Sequence, residues 1–236
     1  MALAAKDFTL SPDRVLPSCV QLEACESYVK QSYRNRCYIL AGDGVQMLQV
    51  PVKHGCVVED TLPFASLRDH RGPRESSISG VVSVRANASG RVSSTIRQVQ
   101  VDYSTPWVLR TCRALDAAYQ TSAYYDYYRD ELFALLEAQP GTLWELNLSL
   151  TQWCLRRFGV ACELVPTTDY VPEGTVKDDY RSVIHPKRPD TVLQDLGLDR
   201  PYYQVFRDRM GGFTPNLSCL DLLFNEGPDS ILWLKK

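Results

Sequence analysis

A short apolar run over Cys37–Ala41 and a partly alternating run over Val45–Val52 flank Gly42-Asp43-Gly44. Alternate strand residues face opposite sides and Asp-Gly supplies the positive φ of a tight turn, so this pattern predicts a β-hairpin. A two-residue turn at 43–44 would set Lys53 opposite the Arg34–Arg36 end. Strand character is expected again over 95–103, with Val99, Val101 and Tyr103 on one face. The period then lengthens to that of a helix. After Thr105-Pro106, Val108, Cys112, Leu115 and Tyr119 recur at helical spacing. A second helix is expected from Tyr124 to Ala138. A third opens at Thr142, with Glu145 completing a capping box, and passes Leu146, Leu150, Trp153 and Cys154 to end at Phe158-Gly159. Short strands are expected at 160–165 and 202–206. Ser218 caps a closing helix that carries Leu220, Leu223 and Phe224 and stops at Gly227-Pro228.

Between 55 and about 95 the periodicity dissolves into a polar, breaker-rich stretch, read as a loop-rich insertion. There is no internal repeat and no linker composition. The expectation is one domain over 1–236: an α/β fold with a single mixed sheet, a β-hairpin near the N-terminus and flanking helices.

At 236 residues and 44% hydrophobic, the chain is long enough for one sizeable core. A net charge of −2 and a pI near 5.9 argue against nucleic acid as a partner. No apolar run reaches the length of a membrane span, and the N-terminus lacks the order of a secretory signal, so a cytoplasmic location is expected. The eight cysteines include no C-x-x-C pair and only three histidines accompany them. Reduced thiols are expected, with no metal and no other cofactor.

Three stretches carry candidate chemistry. The run Tyr28–Arg36 concentrates Lys30, Arg34 and Arg36 with Gln31, Tyr33 and Asn35, in a chain that is otherwise slightly acidic. Arginine offers a planar fork of donors and lysine a point charge, so an anionic small molecule or activated sugar is the natural partner. Lys53 and His54, at the far end of the hairpin, would join that pocket. The second stretch is Asp178–Arg181 with His185 and Lys187, in which His185 is the natural general acid or base. The third is Gly211–Ser218, where Asn216 and Ser218 lead into a helix N-terminus and Asp221 and Asn225 share one face. Each has an ordinary structural alternative: a solvated charged run, an exposed loop histidine, a helix cap. The tyrosines at 119, 124, 125, 127 and 128 suit sugar stacking or simple core packing. Cys25 and Cys37 flank the basic run and would be nucleophiles if it acidified them.

The motifs E-x-Y-x-K-Q-S-Y-R-N-R-C (26–37), V-P-V-K-H-G (50–55) and V-D-Y-S-T-P-W (101–107) occur in that order. They are followed by A-Y-Q-T-S-A-Y-Y-D-Y-Y (118–128), I-H-P-K (184–187), Y-Y-Q-V-F (202–206) and F-T-P-N-L-S-C-L-D-L-L-F-N-E-G-P (213–228). Together, over roughly Leu16–Leu234, they resemble the WbqC-like protein family. One departure is that Val15–Cys19 passes almost directly into Val20–Glu26, where family members usually carry a helix. The resemblance implies a role in O-antigen and other surface-polysaccharide biosynthesis. It implies a transferase that moves an aminoacyl group, glycine, from an activated donor to a sugar. His185 and Asp221 are then the implied catalytic residues. Lys30, Gln31, Tyr33, Arg34, Asn35, Arg36, Lys53, Lys187, Asn216, Ser218 and Asn225 are the implied substrate-binding residues. The alternative is a non-catalytic binding or scaffold protein whose basic strand docks an acidic ligand or partner. Nucleotidyl transfer is a third reading, weakened by the lack of a phosphate loop.

Overall fold

The computed structural model describes residues 3–5, 19–53, 95–176, 178–187 and 191–235. Most of the expected insertion at 55–95, and His54, lie outside them. The architecture is mixed α/β, but its described strands form two sheets, not one. Strands β1 (Leu3–Ala5), β2 (Cys19–Leu22), β5 (Glu163–Pro166) and β6 (Asp178–Asp179) make a four-stranded sheet in the order β5-β2-β1-β6. Its β2–β5 pair is parallel and the other two pairs are antiparallel. Strands β3 (Arg36–Ala41) and β4 (Gly44–Gln49) stand apart as the predicted hairpin.

The hairpin register runs from Arg36 opposite Gln49 to Ala41 opposite Gly44. The loop is therefore Gly42-Asp43, one residue earlier than expected, and Gly44 carries the positive φ of 131°. Moving a turn by one residue moves every cross-strand partner by two, so Lys53 does not face Arg34. It is drawn to the next segment instead. The Lys53 amide donates to Gln100 O at 3.0 Å, and the Asp102 amide donates to Pro51 O at 2.9 Å.

That next segment is not a continuous strand. Residues Ile96–Gln98 form a 3-10 turn, tightened because the Thr95 amide donates to the Gln98 side chain at 3.2 Å. Isolated bridges follow at Gln100 and Val101. Val99 and Val101 are buried, as their spacing predicts. Residues 202–206 also turn instead of extending. The Gln204 amide makes both bonds of a strand partner to Thr214, donating to its carbonyl and accepting from its N–H at 2.9 Å each. This curls 204–214 into a closed loop.

Helices α1 (Trp107–Tyr119), α2 (Tyr125–Glu137) and α3 (Leu143–Arg157) pack with the hairpin, while α4 (Val192–Asp195) is a short outlying turn. Helix α5 (Cys219–Glu226) closes the core and α6 (Ser230–Trp233) follows it. The predicted faces are the buried ones: Cys112, Leu115 and Tyr119 on α1, Leu146 and Trp153 on α3, Leu223 and Phe224 on α5. Truncating any one of the fully buried leucines would cost about 2–5 kcal/mol. The capping box at α3 forms as read, with Glu145 N–H to Thr142 Oγ1 at 3.2 Å and Thr142 N–H to Glu145 Oε2 at 3.1 Å. Of the clustered tyrosines, Tyr119, Tyr125 and Tyr128 are core residues, whereas Tyr127 is 77% exposed.

Candidate functional site

The basic run folds as a turn ahead of β3. Ser32 Oγ donates to Val29 O at 2.7 Å, and Gln31 takes a φ of +57°. Lys30 and Gln31 are left exposed on the turn. Arg34 is turned inward and committed: its Nε and Nη2 meet both carboxylate oxygens of Glu26 at 2.5 and 2.6 Å. The Arg34 carbonyl is held from the other side by Asn147 Nδ2 of α3 at 2.8 Å. Asn35 continues the hairpin, its Nδ2 donating to Val50 O at 3.0 Å and its carbonyl accepting from Val50 N–H at 2.9 Å.

Arg36 differs from both. Its Nη1 reaches only the soft Met47 sulfur at 3.8 Å, and its buried Nε has no hydrogen-bond partner among the described residues. It lines a cavity of about 200 Å³ enclosed by the hairpin, α1, α2, α3 and the start of α5. Leu115, Leu132, Leu136 and Leu150 give this cavity its apolar wall, while Asn35, Trp107 and Thr111 add polar atoms. Asn35 Oδ1 and Trp107 Nε1 are also buried and without a partner among the described residues. Two donors and one acceptor are thus left unpartnered in residues that line one cavity. An unmet buried polar atom costs about 1–3 kcal/mol.

Three thiols line the same cavity: Cys37, Cys154 and Cys219. The Cys154 and Cys219 sulfurs are 3.8 Å apart. Burial pushes the Cys37 thiol up to about 11. Hydrogen bonding to Cys154 holds Cys219 below the usual thiol range and raises Cys154 in turn. Cys219 is exposed at the first turn of α5, where the helix dipole favours an anion. Ser218 fixes that terminus: its Oγ accepts from Leu220 N–H at 3.3 Å and its amide donates to Tyr38 O at 2.7 Å.

Tyr33, Arg34, Asn35, Arg36 and Ser218 therefore come together at one cavity. Asn216 joins its rim, with Nδ2 3.4 Å from the Tyr33 hydroxyl. Asp221 and Asn225 lie behind it, in the core. Asp221 is 1% exposed and accepts from Tyr119 Oη (2.8 Å), Tyr202 Oη (2.7 Å) and Gln204 Nε2 (3.0 Å). Burial raises its pKa despite those donors, and the knot ties α5 to α1 and to the 204–214 loop. Asn225 Nδ2 donates to Asp221 O at 2.8 Å.

Lys53, His185 and Lys187 do not line the cavity. His185 Nδ1 accepts from the Lys187 amide at 3.1 Å. Its acidic neighbours in sequence serve a buried ion cluster. Arg181 binds Asp179 through Nε and Nη2, and its Nη1 lies 3.4 Å from Glu23 Oε2. Glu23 also accepts from Thr167 Oγ1 and the Val171 amide. Trp107 and Cys154 were legible only as a helix start and a core position, because their cavity role depends on how three helices meet.

Among the described residues no cluster of three or more His, Cys, Asp or Glu side chains is placed to hold a metal ion, and no helix is long and apolar enough to cross a membrane. The chain is 25% identical over 228 aligned residues to the uncharacterized protein Rv1507c of Mycobacterium tuberculosis, covering 88% of this chain and 84% of that protein. No solved structure matches it. The model of the WbqC-like protein family matches residues 74–197, which contain the V-D-Y-S-T-P-W, A-Y-Q-T-S-A-Y-Y-D-Y-Y and I-H-P-K motifs. With more than half of its length matched, the chain belongs to the WbqC-like protein family.

Proposed function

We propose that this protein is a transferase of surface-polysaccharide assembly, and that the cavity behind the basic turn holds the small group being transferred. The observation that carries this reading is the set of unpartnered polar atoms on Asn35, Arg36 and Trp107, three residues that line one apolar-walled cavity. Arg36 Nε and Trp107 Nε1 are donors suited to a carbonyl or carboxylate oxygen, and Asn35 Oδ1 is an acceptor suited to an ammonium or hydroxyl. An aminoacyl group offers both. A volume of about 200 Å³ is below the range that takes a drug-sized ligand, so it suits glycyl and excludes a whole sugar nucleotide.

The charged remainder of the donor lies outside, against the exposed Lys30 and Gln31 and the rim residues Tyr33 and Asn216. Arg34, neutralised by Glu26, and Ser218 shape the wall, and Asp221 and Asn225 position α5 behind it. His185, with Lys187 beside it, is assigned the deprotonation of an acceptor seated outside the cavity, and Lys53 belongs to that outer surface. The setting is cytoplasmic, where activated donors are made. Docking of an acidic partner by a basic strand is disfavoured, because Arg34 already has its counter-ion. Mass spectrometry of reactions with an activated glycine and candidate sugar acceptors tests the reading. A glycyl-sugar made by wild type and lost in Arg36→Gln supports it, and no product with any acceptor counts against it.

A further inference from the structure

From the sulfur geometry we infer that Cys154 and Cys219 are a reactive dithiol that exchanges with low-molecular-weight disulfides, Cys219 attacking and Cys154 resolving. This is a site distinct in chemistry from the transfer reaction proposed above, though it sits in the wall of the same cavity. The two sulfurs approach to 3.8 Å across the junction of α3 and α5, in contact and within reach of a bond of about 2.0 Å. The two members are unequally placed. Cys219 is exposed and opens α5 directly after its Ser218 cap, whereas Cys154 lies in the last turn of α3, beside the buried Trp153. An accessible thiol at a helix N-terminus is the competent nucleophile, and its less accessible neighbour is the resolving partner.

In the first step the Cys219 sulfur attacks one sulfur of the small disulfide. A Cys219 mixed disulfide forms, and the departing thiolate takes the proton that Cys219 gave up. The Cys154 sulfur then attacks the Cys219 sulfur. The Cys154–Cys219 bond forms, and the second small thiol leaves with the proton of Cys154. The protein loses two electrons, and the small disulfide is reduced to two thiols.

Treatment of the reduced full-length protein with oxidised glutathione, followed by acid quench, alkylation and peptide mapping, tests this. The expected products are a Cys154–Cys219 cross-linked peptide and an intact mass lower by about 2 Da. Cys154→Ser should stop at one glutathione on Cys219, and Cys219→Ser should leave Cys154 at least about tenfold slower to react. A cross-link through Cys37, or both thiols still free in the folded wild type after prolonged exposure, would overturn the inference. If either serine variant fails to fold, the wild-type peptide map decides alone.

Discussion

Arg34 and Glu26 form a two-point ion pair, at 2.5 and 2.6 Å, with side chains only 8% and 12% exposed. The pair converts the most conspicuous cation of the basic run into a structural fastener between the turn and the segment that precedes it. Removing one partner leaves a charge stranded in a low-dielectric site. Glu26→Ala is therefore expected to cost about 3–5 kcal/mol in urea unfolding. The double variant Glu26→Ala/Arg34→Met should recover part of that loss, because no unpaired charge remains. Equal costs for the single and double variants would show that the pair is not desolvated.

Gly227 offers a sharper steric case. A Cβ there would lie 2.4 Å from Cδ1 of Tyr124, and the residue sits at a φ of +56°. The same corner is pinned by the Tyr124 amide donating to Phe224 O at 3.0 Å, so the ring has no easy retreat. Gly227→Ala should destabilise by more than the roughly 1 kcal/mol that a positive φ alone costs a non-glycine residue. Thermal unfolding of Gly227→Ala beside Gly159→Ala, at φ +67° with open space around it, should show the larger loss at Gly227.

Two carboxylates impose opposite pH dependences. Bonding to Arg181 lowers the Asp179 pKa, so its contribution is full above the unfolded carboxylate value of about 3.9 and is lost as pH falls through the lower folded value. Burial raises Asp221, so its contribution is full below about 3.9 and is lost as pH rises through the higher folded value. Urea midpoints across roughly pH 3 to 7 should show a shallower acid limb in Asp179→Asn. Asp221→Asn should flatten the loss on the upper side. It should also lower stability throughout by about 1–3 kcal/mol, since an amide nitrogen would face donors from Tyr119, Tyr202 or Gln204.

The helices were legible because their signals are local. Thr142 and Glu145 sit three apart whatever the tertiary fold, and Cys112, Leu115 and Tyr119 recur at the helical period. The hairpin was legible too, but its register was not. Gly42-Asp43-Gly44 admits two loops, and one residue of slip redirected Lys53 from Arg34 to the 100–102 segment. The split into two sheets depends on β2, a four-residue strand whose parallel partner lies more than 140 residues away, and nothing local announces such a pairing. At the site, residue type was the weaker guide. Arg34 and Arg36 look alike in sequence, yet one has a carboxylate and the other an open buried nitrogen. Asp221 shares a helix face with Asn225, and its catalytic role is implied by the family resemblance alone. Its oxygens prove to be occupied by residues 102 positions upstream and 17–19 positions upstream.

The cavity is the centre of the account, and ligand-induced stabilisation tests it most directly. Thermal-shift titrations would compare wild type, Arg36→Gln and Trp107→Phe against glycine, a non-hydrolysable glycyl-adenylate analogue and a set of sugar nucleotides. The glycyl analogue is expected to raise the wild-type melting temperature, and both variants should lose about tenfold or more in apparent affinity while still folding without ligand. A glycyl analogue that leaves the wild type unshifted, or shifts all three proteins equally, would contradict it.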